Sequence, residues 1–183
     1  MLSLCPDAAR ALWHPENGRS DTIAEEKKYE VLHSSPLGHE LSEDECRTLL
    51  QVMYVRRLKD GEIFIKEGVK DNALHLLAGG ELVATKKAAG GDLVTLHTMK
   101  VGELAGAMGF VDGIARSVTL HAVGDAVVYS LERDAFEPLV EQHPRLVYHI
   151  MRAVTRTAHT ALLGVNHQVE ELTNYIVRQH GRY

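Results

Sequence analysis

The stretch from Gly102 to Thr119, GELAGAMGFVDGIARSVT, combines residue types that could bind an anion. Three glycines fall among its first eight residues, and Arg116-Ser117 precede a β-branched run. Glycine lets a backbone approach a ligand closely, and the first N–H groups of a short helix can receive an anion. An arginine adds a charge-assisted hydrogen bond and a serine adds a hydroxyl group. The segment is therefore either a plain loop of a β-protein or a phosphate site.

The middle of the chain, from about Tyr54 to Leu131, has the pattern of short β-strands. Apolar and polar residues alternate, and glycines separate the alternating segments at a spacing of roughly 8–12 residues. Gly79-Gly80 joins two apolar runs, which predicts a hairpin at that point. The alternating segments are EIFIKEG, ALHLLAGGELVATKK, DLVTLHTM, RSVTLHAV and DAVVYSL.

Helical patterns lie on both sides of this region. DTIAEEKKYEVLHSS has a cap residue and an acidic first turn, and Ser42 with Glu45 forms a capping box. ERDAFEPLVEQH predicts a short helix that tolerates Pro138 near its first turn, and a long helix follows from Pro144. We predict a mainly β fold, an eight-stranded antiparallel jelly roll with N-terminal helices and a long C-terminal helix. Its parts are an irregular extension (1–20), a domain (21–143) and the long helix (144–183).

Apolar residues in the long helix repeat at spacings of three and four, close to a heptad pattern. This favours a parallel homodimer, whereas the alternative is a helix packed against its own barrel. A length of about 50 Å, at 1.5 Å per residue, exceeds the width of a small domain, so part of the helix should project. The repeating residues are Val147, Met151, Val154, Ala158, Ala161, Val165, Val169, Leu172 and Ile176.

Composition argues against several functions. The formal net charge is -5 and no basic cluster is longer than a pair, which disfavours nucleic-acid binding. Cys5 and Cys46 lack a metal-type spacing, and His159 and His167, eight apart on the long helix, lack that of a helical metal pair, so no metal site is predicted. The sequence has no catalytic motif, no signal peptide and no apolar run of 18 residues. We therefore expect a cytoplasmic protein that is not an enzyme and does not cross a membrane.

From Ser42 to Gln179 the sequence resembles the cyclic nucleotide-binding domain family, which includes catabolite-activator-like regulators and the regulatory subunits of protein kinase A. LKDGEIFIKEG and ALHLLAGGELVA are similar to the first strands of that family, and GAMGFVDGIARSVT is similar to its phosphate-binding cassette. The resemblance implies a jelly-roll sensor whose ligand could be cyclic AMP or cyclic GMP. A haem sensor on the same scaffold is a further alternative, because some relatives bind haem through a histidine.

An ungapped alignment on the cassette places the ligand-binding residues. It puts Ala107 where the family has a glutamate that accepts from the ribose 2′-hydroxyl, and it makes Glu103 a possible substitute. A competing register places Glu103 on that glutamate but needs a three-residue insertion. The cassette residues implied are Gly106, Ala107, Met108, Arg116 and Ser117.

Ala161 and Leu162 occupy the positions at which activator-like relatives present polar side chains to the base. The resemblance thus implies an anion-competent but atypical pocket, with cyclic-nucleotide binding weakened on the order of 10–1000-fold by the loss of one or two charged hydrogen bonds. The pattern ends near Tyr183 without a helix-turn-helix, so no DNA binding by this chain alone is expected.

We predict a regulatory module that binds a small anionic ligand and signals to a protein partner through its C-terminal helix and dimer interface. The alternatives are a ligand-free dimerisation platform and a subunit of a transcription-regulatory system without its own DNA-binding domain.

Overall fold

A computed structural model describes residues 20–88 and 90–180, so the predicted extension 1–20 lies outside it apart from Ser20. The described residues form six α-helices, six β-strands and a 3-10 turn at Gly38–Glu40. The helices are α1 (Ser20–His33), α2 (Glu43–Val52), α3 (Ala107–Asp112), α4 (Arg133–Phe136), α5 (Leu139–Gln142) and α6 (Pro144–His180). The strands are β1 (Tyr54–Leu58), β2 (Ile63–Ile65), β3 (Ala73–Lys87), β4 (Leu93–Met99), β5 (Leu104–Ala105) and β6 (Thr119–Glu132).

The strands pair in the order β1-β6-β3-β4, while β2 also pairs with β6 and β5 with β3. Every pairing is antiparallel, which confirms the mainly β fold with flanking helices. The described strands number six instead of the predicted eight because β3 and β6 are long and each takes the place of two short strands.

The predicted hairpin at Gly79-Gly80 is wrong. β3 continues through both glycines and pairs with β6 on either side, from Ala73 opposite Glu132 to Thr85 opposite Thr119. The register shifts at the glycines instead of reversing the chain. A Cβ at Gly80 would lie 2.3 Å from the carbonyl oxygen of Asp125, so the glycine pair permits a close approach of two strands.

The predicted start of α2 is confirmed, whereas α1 begins at Ser20, so Asp21 and Thr22 lie inside its first turn instead of capping it. Ser42 Oγ accepts from the Glu45 N–H at 3.3 Å, and the Glu45 carboxylate accepts from the Ser42 N–H at 2.9 Å, which completes the capping box of α2. Pro138 separates α4 from α5 and is the N-cap residue of α5. A proline is tolerated there because the first N–H groups of a helix have no intrahelical partner.

Two apolar clusters hold these elements together. One fills the space between the strands and includes Leu58, Leu82 and Val128. The other lies between the sheet and the helices, where Leu49 of α2 and Ile150 of α6 are fully buried. Since α6 contributes to this second cluster, its first part is fixed relative to the sheet.

The two parts of α6 have different surroundings. Leu146, Ile150 and Val154 are buried, and Val147 and Met151 of the predicted seam pack against the same cluster. This part of the seam therefore serves the domain's own core, which is the alternative that the pattern left open. Beyond Ala158 the described side chains of α6 are exposed, and they include Val165 and Val169.

Candidate functional site

A cavity of about 1070 Å³ lies between the sheet, the α3 segment and α6. Strand residues form its floor, the turn from Glu103 to Val118 forms one wall, and α6 crosses its open side. A concave site of this size that is mainly apolar and has few polar groups is a typical small-molecule site. The predicted cassette residues that line it are Gly106, Ala107, Met108, Arg116 and Ser117.

Arg116 is buried beside this cavity, with 7% of its surface exposed. Its backbone N–H donates to the Val69 carbonyl at 2.9 Å, and its carbonyl accepts from the Gly68 N–H at 2.8 Å. Its Nη2 donates to the Ala73 carbonyl at 2.6 Å and pairs with Asp71 Oδ2 at 3.1 Å. Its Nε has no hydrogen-bond partner among the described residues. The guanidinium is thus held in place through Nη2, while its buried Nε is left unpaired among these residues.

Gly106 and Gly109 lie directly against this guanidinium. A Cβ at Gly106 would lie 2.3 Å from Arg116 Nη1, and one at Gly109 would lie 2.9 Å from the same atom. Gly106 also has φ +80°, in the left-handed region that side-chain-bearing residues rarely adopt. The glycines at the start of α3 therefore let the arginine approach the backbone of the turn.

A buried polar network holds Arg116 from the other side. His75 Nε2 lies 2.9 Å from Asp71 Oδ2, and His75 Nδ1 lies 2.8 Å from Ser130 Oγ. Burial lowers the pKa of His75, so the ring is neutral at pH 7. Because a carboxylate can only accept, the neutral ring donates from Nε2 to Asp71 and accepts the Ser130 hydroxyl at Nδ1.

The Asp71 carboxylate is the counter-ion of this network. Burial alone would raise the pKa of Asp71, but hydrogen bonding to His75 and the charge of Arg116 outweigh it and lower that pKa to about 2. Asp71 therefore stays ionised at neutral pH. Sequence reasoning missed Asp71, His75 and Ser130, because residues on three elements meet only after β3 pairs with β6.

Glu103 lines the cavity but already has partners. Its Oε2 lies 2.8 Å from His97 Nε2 and accepts from the Lys100 N–H at 3.3 Å. Ala107, at the first position of α3, presents only a methyl group to the cavity wall. The acidic group predicted as a possible ribose substitute is thus engaged with a histidine of β4.

The lid residues are placed differently from the prediction. Ala161 lines the cavity, but Leu162 is not among the described lining residues. The lining contributed by α6 includes instead Thr157, Ala158, Thr160 and Val165. The Leu162 side chain is 57% exposed. Residues on both sides of Leu162 in the helix line the cavity, including Ala161 and Gly164, whereas Leu162 itself is not part of the lining. Two threonines of α6 therefore face the cavity that the ungapped alignment had left without polar lid residues.

A second charged centre fixes α6 over the cavity. The Glu40 carboxylate, whose side chain is 3% exposed, pairs with Arg152 and Arg156 of α6. Nearby, Glu45 accepts from His149 Nδ1 at 3.0 Å. Arg152 and Arg156 lie four apart on one face of α6, but nothing in the sequence marked Glu40 as their buried acceptor.

Residues 20–88 and 90–180 contain no group of three or more His, Cys, Asp or Glu side chains placed to hold a metal ion. None of the helices in that part of the chain is both long and apolar enough to span a membrane.

The jelly roll, the cassette turn and the helix crossing the cavity define the class of a small-molecule regulatory domain. Residues 55–143 match the family model of the cyclic nucleotide-binding domain. The match covers 89 of the chain's 183 residues and agrees with the resemblance found in the sequence.

Similar proteins support the assignment. A cyclic AMP receptor protein of Thermus thermophilus is 28% identical over 135 residues, covering 74% of this chain and 62% of the relative. The crystal structure of a Thermus thermophilus catabolite activator protein has a TM-score of 0.63 at 27% identity, covering 74% and 63% of the two chains. A cyclic nucleotide-binding domain from Methylobacillus flagellatus has a TM-score of 0.72 at 21% identity, covering 81% and 84%.

The shared region is part of larger proteins in these relatives. This chain spans 62% of the length of the cyclic AMP receptor protein. It spans 14% of a cGMP-dependent protein kinase of Caenorhabditis briggsae, at 25% identity over 113 residues. The similarity thus covers only part of each of these proteins.

Proposed function

We propose that this chain is a regulatory module that binds a small anionic ligand in the cavity and signals through α6. The observation that carries the proposal is Arg116, a buried cation whose Nε lacks a partner among the described residues. A buried donor without a partner is unfavourable, so an anionic acceptor at this place would be stabilised.

Cyclic AMP or cyclic GMP is the first candidate ligand, since the named relatives are a cyclic AMP receptor protein and a cGMP-dependent kinase. Binding should be weaker than in a domain that has a carboxylate at position 107. A hydrogen bond to a charged group contributes about 1.5–3 kcal/mol, so its loss lowers the affinity about 10–100-fold. The threonines at positions 157 and 160 could offset part of that loss at the base.

Signalling would use the position of α6. Ala161 and Val165 line the cavity, and Arg152 and Arg156 tie the same helix to Glu40. A ligand that binds more tightly when α6 lies close to the cavity shifts the helix towards that position. The exposed apolar residues of the distal part, such as Leu163 and Val169, would then contact a second copy of the chain or a protein partner.

Calorimetry with both cyclic nucleotides tests this proposal. We expect binding of one of them that is abolished by Arg116→Gln and retained by Arg57→Ala, which changes an exposed arginine on β1. Thermal melts of both variants separate loss of binding from loss of folding. Tight binding that survives Arg116→Gln would contradict the proposal.

A second candidate is a ligand-free dimerisation platform, or a subunit of a transcription-regulatory system that lacks its own DNA-binding domain. The methyl group of Ala107 and the engagement of Glu103 with His97 favour it. If no anion raises the melting temperature while the chain is dimeric in solution, this second function is the better description.

A further inference from the structure

The walls of the cavity away from Arg116 are mostly apolar. Ala84, Met99 and Leu120 form part of its buried floor, and Ala158, Ala161 and Val165 line it from α6. A ligand body in contact with these groups gains affinity from every methylene it buries. These walls offer few hydrogen-bond donors or acceptors to a sugar or a nucleobase.

The polar side chains around the cavity mostly have partners within the protein. Glu103 pairs with His97, and Glu40 pairs with two arginines of α6. The Thr157 hydroxyl donates to the Ala153 carbonyl at 3.0 Å. A ligand rich in hydroxyl and ring-nitrogen groups would have to break these pairs or leave its own groups unsatisfied.

Large apolar side chains at the cavity mouth are exposed to solvent. Leu96, Met108 and Ile114 line the cavity and are 54%, 57% and 64% exposed. A ligand with an apolar body would remove this surface from water, whereas a polar ligand would gain little from covering it. The lining therefore favours one charged end and one apolar end in the same molecule.

We infer that the ligand is a small anion with an apolar body, a carboxylate or phosphate monoester attached to an aliphatic chain or aromatic ring. Its anionic head lies beside Arg116 and its body lies between the sheet and the apolar side of α6. This inference rests on the proposed function, because it uses the same cavity, but it names a different class of ligand from a nucleotide.

A chain-length series measured by calorimetry tests it. The probes are hexanoate, octanoate and decanoate below their micelle concentrations, the matching primary alcohols, the matching alkyl phosphates, and cyclic AMP. We expect the affinity to rise about fourfold for each added methylene, the fold-change that corresponds to about 0.8 kcal/mol. The alcohols should bind at least about tenfold more weakly than the carboxylates, because they lack the charge that Arg116 attracts. Comparison of carboxylates with phosphates identifies the head group.

Variants locate the bound chain. Ala161→Gln, which places a polar group on the cavity side of α6, should flatten the dependence on chain length. Val140→Gln is the control, because Val140 is an exposed apolar residue of α5 outside the described cavity lining. If Val140→Gln has the larger effect, the chains bind outside the cavity and the inference is wrong.

The remaining outcomes separate this inference from the proposed function. If cyclic AMP binds more tightly than every alkyl anion through Arg116, the ligand class is wrong while the proposed function stands. If the alcohols bind as tightly as the carboxylates, the inference that the ligand has an anionic head group is wrong. If neither class binds to a folded protein, both proposals fail.

Discussion

Two buried charges line the cavity, and they differ in how completely they are paired. Glu40 is a buried carboxylate with two arginine partners on α6. Arg116 is a buried cation with one carboxylate, one carbonyl and an Nε that has no partner among the described residues. A buried charge whose hydrogen-bonding groups all have partners in the protein joins elements of the fold. A buried charge with an unpaired N–H donor can still accept a ligand as its partner.

The largest expected effect follows from removing the partners of Glu40. The double variant Arg152→Gln/Arg156→Gln leaves that carboxylate buried and unpaired, so the melting temperature should fall by roughly 10 °C. Adding Glu40→Gln to the double variant should recover at least half of this loss, because the buried charge is then gone. Arg145→Gln, an exposed change on the same helix, is the control. An unchanged melting temperature in the double variant would show that the ion pairs do not hold α6.

A smaller loss is expected at the other centre. Gly106→Ala combines a strained φ of +80° with a Cβ 2.3 Å from Arg116 Nη1, so it should lower the free energy of unfolding by about 2–3 kcal/mol. It should also abolish anion binding because the guanidinium is displaced. Gly91→Ala has a similar φ of +93° but no atom within 4 Å of its Cβ, and should lose only about 1 kcal/mol without affecting binding. Equal losses of unfolding free energy for the two variants in denaturant unfolding would contradict the importance of the close contact between Gly106 and Arg116.

Ala107→Glu sharpens the comparison by adding a hydrogen-bond acceptor to the cavity wall. If the ungapped alignment is right, this variant should bind cyclic AMP at least about tenfold more tightly, the effect of one hydrogen bond to a charged group. If the competing register is right, Glu103→Ala should instead weaken binding by a similar factor. Titration of both variants decides between the registers, and Glu81→Ala, an exposed change on β3, is the control.

The smallest effect is a pH dependence of stability. Both pKa values are lower in the folded protein, that of His75 below 6.5 and that of Asp71 at about 2 instead of 3.8. The unfolded chain therefore binds more protons in acid. Stability from His75 is fully present above pH 6.5 and is lost below it, and that from Asp71 is lost as the pH falls from 3.8 towards 2.

Denaturant unfolding from pH 8 to pH 3 measures this dependence. His75→Gln should remove the loss of stability that begins as the pH falls below 6.5. His143→Gln, a change at an exposed histidine, should leave that loss unchanged. If both variants retain the full dependence, the neutral ring between Asp71 and Ser130 is not its source.

The features that could be predicted from the sequence are those with a local signal. The capping box at Ser42 and the change from a period of two to a helical period after Leu131 depend on residues close together in the chain. Gly106 and Arg116 were predicted because the cassette is one continuous segment. Gly79-Gly80 shows the limit, because a glycine pair permits either a reversal or a bulge, and pairing with the distant β6 decided for the bulge.

By itself the sequence determined where the strands and the helices lie, the resemblance to a family and the segment that contains the arginine, because periodicity, caps and a short motif are local properties. Only the tertiary structure decided which charges are satisfied. Arg116 meets Ala73, His75 meets Ser130, and Glu40 meets α6 through contacts between residues 43 to 116 positions apart. Whether all hydrogen-bonding groups of a buried charge have partners depends on residues that are distant in the sequence and meet only in the folded structure.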